Sequence, residues 1–415
     1  MKRRSFLLGS ALTAGRLAAA GAPAAALYAS RALAQDSTFR IGALCPVTGA
    51  GSPYGPGMQK TIVAMAEVIN AAGGVNGRQL QVFTEDTQTK PEAAVLAAKK
   101  LVEVNKVQAI LGTWSSSETM AVLTSVTDPA NILHFTVTGA REFSTDDKKD
   151  LGWRFTPSSY TYGLAYAQIA AAMGTKRVAT MGFNNPSGLA QVAGFTDGWK
   201  KAGNSVVGNI TYEGNRPSYR SELQTVLANK PDVIVVAGYV PDTTIILREW
   251  YQSGVPAKFI LPSWGAGDKL VESLGANVVE GVITVGAGTP ENSPSAKASD
   301  ELYRKIMGAP VSSNFYSTMC FDMVNVLALA MQAAGANPTP ASIAANIRKV
   351  VNPPGQVVFS FAEGRDALKR GAKIKYSGAY SDLNFDENGD DTAALFTWNT
   401  YKSGKSELIK NVSLA

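Results

Sequence analysis

Histidine and cysteine are scarce in this 415-residue sequence, which contains one histidine, His134, and two cysteines, Cys45 and Cys320. A zinc site or a Ser-His-Asp triad needs histidine or cysteine ligands, or a histidine beside a nucleophile. His134 lies in the apolar run NILHF, which is typical of a buried strand. We therefore expect no metal site, no cofactor and no hydrolytic centre. The two cysteines are compatible with a disulfide in an oxidising compartment or with two buried thiols.

An excess of positive charge is also missing once the start of the chain is set aside. Residues 1–34 carry five of the 39 basic side chains and no acidic one, so the remainder has 34 basic and 33 acidic residues. Nucleic-acid binding needs a clustered basic face. We therefore expect no nucleic-acid partner.

The N-terminal segment has the features of an export signal. Basic residues are followed by a small-residue apolar stretch that ends in Ala32-Leu33-Ala34, an A-x-A cleavage pattern. The pair Arg3-Arg4 before Ser-Phe-Leu matches a twin-arginine signal. We predict such a signal over 1–34, with an ordinary secretory signal or an uncleaved anchor as alternatives. No later run approaches the roughly 18 apolar residues that a membrane span needs, so the mature product is expected to be soluble.

After the leader, strand and helix patterns alternate in two similar blocks. In the first block, Met58, Ile62, Met65 and Ile69 follow one helical face between two short apolar runs. The second block begins near 160 and repeats this alternation to about 286. Such alternation indicates parallel sheets covered by helices on both faces. Three helices, at about 296–307, 314–335 and 340–351, and a β-rich tail complete the chain.

The segments that follow the predicted strands are rich in Gly, Ser, Thr, Tyr and Trp. In open α/β sheets, ligands bind at the carboxyl ends of the strands, near helix N-termini. Neutral hydroxyls and backbone amides at these ends can bind a carboxylate, and aromatic rings can supply apolar walls. The segments are CPVTGAGSPYG, TWSSS, TVTGARE, FNNPSG, GYVPD and LPSWGAGD.

Five segments, taken in order, resemble the leucine/isoleucine/valine-binding family of type I periplasmic binding proteins. They are FRIGALCPVTGAGSPYG, INAAGGVNGRQLQV, ILGTWSSS, VAGYVPD and FDENGD. The resemblance implies an α/β fold of two doubly wound parallel-sheet lobes joined by a three-stranded hinge, with crossings near 156, 288 and 352. Lobe 1 would comprise 35–156 and 289–351, and lobe 2 would comprise 157–288 and 352–415.

The same resemblance implies the function. We expect an extracytoplasmic, periplasmic substrate-binding protein of an ABC importer, a monomer that binds a small carboxylate between its lobes and performs no catalysis. Its partners would be the membrane permease and ATPase subunits. A ligand-sensing receptor without a transport role is the alternative.

The family pattern also places ligand contacts on this sequence. Ser116 corresponds to the serine that binds the ligand carboxylate in relatives, although it could also be a simple helix cap. The predicted ligand-binding residues are Tyr54, Trp114, Ser115, Ser116, Thr138, Gly139, Ala140, Asn185, Ser187, Tyr239 and Trp264.

Two of these positions depart from the family pattern. Trp264 stands where amino-acid-binding relatives often have an acidic residue, and Ser187 stands where a tyrosine is usual. A neutral indole cannot pair with a ligand ammonium as a carboxylate does, although a cation–π contact is possible. We therefore favour an aromatic or flat carboxylate over a leucine-like amino acid, with amides and other ligands as further alternatives.

Two further motifs resemble a dinucleotide-binding turn and a calcium-binding loop, but their glycine spacing does not fit either. The turn GAGSPYG could suggest a nicotinamide-dependent oxidoreductase, but its glycines follow G-x-G-x-x-x-G, and Glu85 lies about 36 residues beyond Gly49 instead of roughly 20. The acidic segment 386–391 has Gly389 at its fourth position, whereas a calcium loop needs glycine at the sixth. We interpret this segment as a turn between strands.

Overall fold

The first block folds into five strands and the helices between them. A computed structural model describes residues 38–288, 293–392 and 395–414, so the predicted signal at 1–34 lies outside the described residues. The strands are β1 (Thr38–Cys45), β2 (Gln79–Asp86), β3 (Ala109–Thr113), β4 (Leu133–Thr136) and β5 (Gly152–Arg154), and the helices are α1 (Gly55–Ala71), α2 (Pro91–Lys99), α3 (Ser116–Val122) and α4 (Glu142–Asp146). The sheet order is β2-β1-β3-β4-β5, and β1, β3, β4 and β5 pair in parallel.

The second block repeats this architecture. Its strands are β6 (Val178–Phe183), β7 (Val206–Tyr212), β8 (Val233–Ala237), β9 (Lys258–Pro262) and β10 (Ile283–Ala287), and its helices are α5 (Ser159–Ala172), α6 (Pro186–Lys201), α7 (Arg220–Leu227), α8 (Val240–Ser253), α9 (Asp268–Leu274) and α10 (Ala276–Val279). These five strands pair in parallel in the order β10-β9-β8-β6-β7. The strand–helix alternation read from the sequence is therefore confirmed in both blocks.

The last third of the chain adds helices to the first lobe and two strands to the second sheet. It contains α11 (Pro294–Met307), α12 (Tyr316–Ala334), α13 (Pro340–Val351), β11 (Gln356–Val358), α14 (Phe361–Lys369), β12 (Ile374–Tyr376), β13 (Leu395–Lys402) and β14 (Lys405–Ser413). Helices α11 and α12 pack on α1, next to the first sheet. Strands β13 and β14 extend the second sheet as antiparallel strands beyond β10. The predicted fold, with two α/β lobes, is confirmed.

The chain passes between the two sheets three times, and the third passage differs from the predicted one. The first passage follows β5, the second follows β10, and the third lies between β12 and β13. We predicted the third near 352, but α14 packs on α12, and β12 packs on α13. The segment 356–376 therefore lies with the helices of the first lobe, because its apolar side chains are buried against α12 and α13 and not against the second sheet.

Helix α14 was missed at the sequence level, where only strands were expected after 351. Its N-cap Ser360 accepts the backbone N–H of Glu363 at 3.3 Å, and the Glu363 carboxylate accepts the N–H of Phe359 at 2.8 Å. The Ser360 bond is the usual N-cap of a helix, and Glu363 adds a bond to the residue before the cap. The signal was therefore present in the sequence.

Helix α12 forms the centre of the first lobe. By length and composition alone it could cross a membrane, and it is the single such helix among the described residues, but 83% of its apolar window is buried inside the protein. A core helix has the same features. Cys320 lies on this helix. Cys45 and Cys320 are both buried free thiols, so they do not form the disulfide that the sequence left open.

His134 has the structural role that its apolar surroundings suggested. The ring is fully buried in β4, with Nε2 at 2.7 Å from the Thr113 hydroxyl and Nδ1 at 3.2 Å from the Thr127 hydroxyl. Burial lowers the pKa of His134 to about 3, because the charged ring would lose its hydration. The imidazole is therefore neutral at physiological pH and acts as a polar link inside the first sheet.

Candidate functional site

A small cavity of about 20 Å³ lies where the carboxyl ends of strands from both sheets meet. It has room for little more than one water molecule, so the lobes are nearly closed around it. Its lining combines hydroxyl groups and aromatic rings from both lobes and from α12. The lining residues are Trp114, Ser116, Val137, Gly139, Thr156, Pro157, Ser159, Tyr162, Ser187, Tyr239, Trp264 and Tyr316.

Two serines after β3 have different roles: Ser115 caps the helix α3, and Ser116 lines the cavity. Ser115 is the N-cap of α3, and the Glu118 carboxylate accepts the backbone N–H groups of Trp114 at 3.1 Å and Ser115 at 2.8 Å. Burial raises the pKa of Glu118 to about 7. Because Ser115 and Glu118 cap the helix, the hydroxyl of Ser116, in the first helical turn, is available at the cavity wall.

The turn after β4 is built against Ser116. The Thr138 hydroxyl donates to Ser116 Oγ at 3.1 Å and accepts the backbone N–H of Ala140 at 3.2 Å. Gly139 lines the cavity, and its carbonyl accepts the N–H of Ser159 at 2.9 Å. A Cβ at position 139 would lie 1.8 Å from Ser159 Oγ, so only glycine allows this approach.

The second lobe contributes a hydroxyl pair and a helix cap. Ser187 Oγ lies 2.7 Å from Ser159 Oγ and accepts the side-chain amide of Gln191 at 3.1 Å. Asn185 caps α6 by accepting the N–H of Gly188 at 2.7 Å, and its amide donates to the Tyr239 hydroxyl at 3.2 Å. These bonds hold Ser187 and Tyr239 in place beside the cavity.

Aromatic rings close the remaining walls. Trp114 from the first lobe lies against Tyr239 from the second, with ring centroids 5.0 Å apart and an interplanar angle of 36°. Trp264 meets Tyr162 edge-to-face at 4.8 Å, and Tyr316 meets Trp114 in the same way at 5.9 Å. Such edge-to-face and tilted geometries are the favourable ones for aromatic pairs.

The comparisons with known proteins agree with this architecture. The model of a periplasmic binding protein family matches residues 38–365, most of the chain. The chain belongs to the periplasmic binding protein family. Its branch is the type I leucine/isoleucine/valine-binding proteins of ABC transporters, as the sequence resemblance predicted.

Three similar proteins illustrate the range of ligands that relatives bind. An amino acid binding protein of Pseudomonas aeruginosa is 27% identical over 303 residues, which is 72% of this chain and 79% of that protein. The crystal structure of a leucine binding protein from Thermotoga maritima has a TM-score of 0.75 at 21% identity, covering 90% of this chain and 99% of the other. A solute binding protein of an ABC transporter from R. palustris, in complex with benzoate, has a TM-score of 0.72 at 16% identity, covering 90% and 96%.

The structure of this periplasmic binding protein brings most of the predicted site residues together. Trp114, Ser116, Gly139, Ser187, Tyr239 and Trp264 line the cavity. Ser115, Thr138 and Asn185 support these residues through the contacts described above. Tyr54 does not line the cavity but packs against two lining residues, Trp114 at 5.8 Å and Tyr316 at 5.2 Å between ring centroids.

Ala140 does not have the predicted role of a donor to the ligand. Its N–H is bonded to Thr138, and its carbonyl accepts Nη1 of Arg154 at 2.5 Å. Ala140 is fully buried and does not line the cavity. Both of its backbone groups are used to fold the turn, so neither is free for a ligand.

Some lining residues were not predicted. Thr156, Pro157, Ser159 and Tyr162 come from FTPSSYTYG, at the start of the second block, to which we had assigned no ligand contact. The many hydroxyl side chains in this segment could have indicated that it lines the ligand site. Val137, beside the predicted turn, and Tyr316, at the start of α12, had no comparable signal.

Among the residues that the structure describes, no charged side chain lines the cavity. The nearest acid in sequence to a lining residue on the second lobe, Asp242, accepts the Tyr219 hydroxyl at 2.6 Å and the Asn215 N–H at 2.9 Å, away from the cavity. Within residues 38–288, 293–392 and 395–414, no group of three or more His, Cys, Asp or Glu side chains could hold a metal ion. The site is therefore a neutral, hydroxyl-rich and aromatic chamber.

Proposed function

We propose that this periplasmic binding protein holds a small carboxylate ligand in the cavity and presents it unchanged to an ABC importer. The observation that carries the proposal is the lining itself, which combines neutral hydroxyls with aromatic rings and contains no nucleophile–base pair. Neutral donors can bind an anion when they are preoriented. The partners in this proposal are the permease and ATPase subunits, and the protein is exported to the periplasm as a monomer.

The carboxylate would lie at the first turn of α3. Helical structure continues from Ser116 to Ala130, so the positive end of a helix dipole points toward the cavity at Ser116. The Ser116 hydroxyl and the turn at Gly139 bound the same corner of the cavity. This corner therefore offers a hydroxyl and a favourable potential to a negative group.

The neutral lining formed by the described residues favours an aromatic or otherwise flat acid. An α-amino acid would bring an ammonium group that needs an anionic partner once water is excluded. Trp264 occupies the position where an acidic partner was expected, and its ring lies against Tyr162. Between Trp264 and Trp114 the cavity presents aromatic surfaces instead. The benzoate complex of a relative supports this choice, and a leucine-like amino acid is the second candidate because relatives are named for that class.

A thermal-shift panel tests the ligand class. We expect benzoate and related aromatic acids to raise the melting temperature more than leucine, isoleucine and valine, and mass spectrometry to recover the bound compound unchanged. Trp264→Glu should weaken aromatic acids and improve amino acids, since it supplies the missing negative charge. Leu96→Glu, at a position that is 70% exposed and outside the lining, is the matched control for the added charge. Tight binding of leucine with no response to aromatic acids would contradict the preference, and turnover of a bound compound would contradict a pure binding role.

Ligand access requires the lobes to separate. The cavity is nearly closed, and Trp114 and Tyr239 meet across it. In the described part of the chain, three passages connect the two sheets, an arrangement that permits hinge motion. Small-angle scattering should therefore give a smaller radius of gyration with a binding compound than without one, and no change with a compound from the panel that does not bind. An unchanged radius under saturating ligand would exclude closure on binding.

A further inference from the structure

Arg154, the last residue of β5, lies outside the cavity and yet contacts its wall. Its side chain is 2% exposed. Nε donates to Asp390 Oδ1 at 2.9 Å, and Nη2 donates to Asp390 Oδ2 at 2.7 Å. Nη2 also reaches the Ser144 hydroxyl, and Nη1 donates to the Ala140 carbonyl at 2.5 Å. The guanidinium therefore joins an acid to the turn that follows β4.

The acid in this pair belongs to the segment that leads into the third passage between the lobes. The backbone N–H of Arg154 donates to the Gly389 carbonyl at 2.9 Å, and Asp391 N–H donates to the Arg154 carbonyl at 3.1 Å. A Cβ at position 389 would lie 2.4 Å from the Gly152 carbonyl oxygen, so glycine is required for this approach. The first and third passages are thus tied side by side where they leave the first lobe.

Hydrogen bonds on both sides of Ala140, joined by the backbone of that residue, lead from this ion pair to the cavity. Arg154 holds the Ala140 carbonyl, and the Ala140 N–H donates to Thr138 Oγ1. The Thr138 hydroxyl then donates to Ser116 Oγ, which lines the cavity. Arg154, Ala140, Thr138 and Ser116 are buried, where losing a hydrogen-bond partner is costly.

We propose that Arg154 and Asp390 are positioning residues for the ligand site, and that they fix the turn 138–140 and the Ser116 hydroxyl from the hinge. This inference rests on the proposed function, because it assumes that Ser116 meets the ligand. A charged, two-point bond to Asp390 orients the guanidinium plane more strictly than a neutral one would. Neutralising Asp390 lets that plane rotate, and the Ala140 carbonyl loses a fixed donor.

Asp390→Asn tests the positioning role, because it keeps the size of the side chain and removes its charge. Ser144→Ala is a milder second variant, since the Ser144 hydroxyl donates to Asp390 at 2.7 Å and accepts from Arg154. Asp150→Asn is the matched control. It breaks a two-point ion pair with Arg348, both contacts at 3.0 Å, and Arg348 holds the same 386–387 backbone without contacting the turn.

The first measurement needs no ligand. Hydrogen exchange of a peptide covering 137–143 should be faster in Asp390→Asn and Ser144→Ala than in the wild type, and unchanged in Asp150→Asn. The second measurement is the affinity for benzoate and for leucine. Asp390→Asn should weaken the bound probe by about 2- to 12-fold, the range expected for one well-placed hydrogen bond, while Asp150→Asn should bind as the wild type does.

Three results would overturn the inference. The first is unchanged exchange of 137–143 in Asp390→Asn. The second is faster exchange with unchanged affinity while Ser116→Ala does weaken binding, which would leave the proposed function intact and remove only the positioning role. The third is binding that neither Ser116→Ala nor Asp390→Asn weakens, which would overturn the placement of the carboxylate at Ser116 together with the inference.

Discussion

Arg154→Met should lower the free energy of unfolding by about 3–5 kcal/mol, the usual cost of removing one partner of a buried ion pair. The substitution leaves the Asp390 carboxylate, only 23% exposed, beside an apolar side chain. It also leaves the buried Ala140 carbonyl without its donor. Denaturant unfolding followed by circular dichroism measures the change.

The control for this prediction is an exposed ion pair. Lys100→Met breaks the bond to Glu85, in which the lysine side chain is 58% exposed, and it should cost no more than about 1 kcal/mol. The double variant Arg154→Met/Asp390→Leu should recover much of the lost stability, because no unpaired charge remains. A double variant as unstable as Arg154→Met would show that the guanidinium contributes through packing and not through its charge.

Ser116→Ala should weaken binding of a carboxylate ligand by about 1–3 kcal/mol, a factor of about 5 to 150 in the dissociation constant. The reason is that a carboxylate desolvated in the cavity loses a hydroxyl donor, and water has little room to replace it. Isothermal titration with the compound that gives the largest thermal shift measures the loss.

Ser117→Ala is the control, because Ser117 lies in the same helical turn and does not line the cavity. It should leave the affinity unchanged. Equal losses in both variants would indicate a general effect on α3. No loss in Ser116→Ala would mean that the ligand anion is held elsewhere, for example at the Ser159–Ser187 hydroxyl pair.

The comparison of sequence and structure separates local from long-range information. The apolar spacing of Met58, Ile62 and Met65 predicts which face of α1 is buried, and all three are buried. Ser115 and Glu118 are three residues apart, and the structure shows them capping α3. Signals of this kind depend on neighbours within one helical turn, so they can be read without knowledge of the fold.

Contacts between residues far apart in the chain could be found only from the tertiary structure. Tyr316 reaches the cavity because α12 begins beside Trp114, although the two residues are some 200 positions apart in the chain. Arg154 meets Asp390 because two distant passages run side by side, and no local pattern marks this pairing.

The same distinction explains the two errors that matter for function. Ala140 was expected to contact a ligand because of the family resemblance, but its backbone groups are used by Thr138 and Arg154. The segment 356–376 was expected in the second lobe, but its apolar face is buried on α12 and α13. The sequence by itself determined the alternation of elements, the helix caps and the hydroxyl-rich strand ends, because these depend on residues a few positions apart. Only the tertiary structure decided which of those ends converge and which backbone groups remain free, because that depends on strand order and on contacts between distant segments.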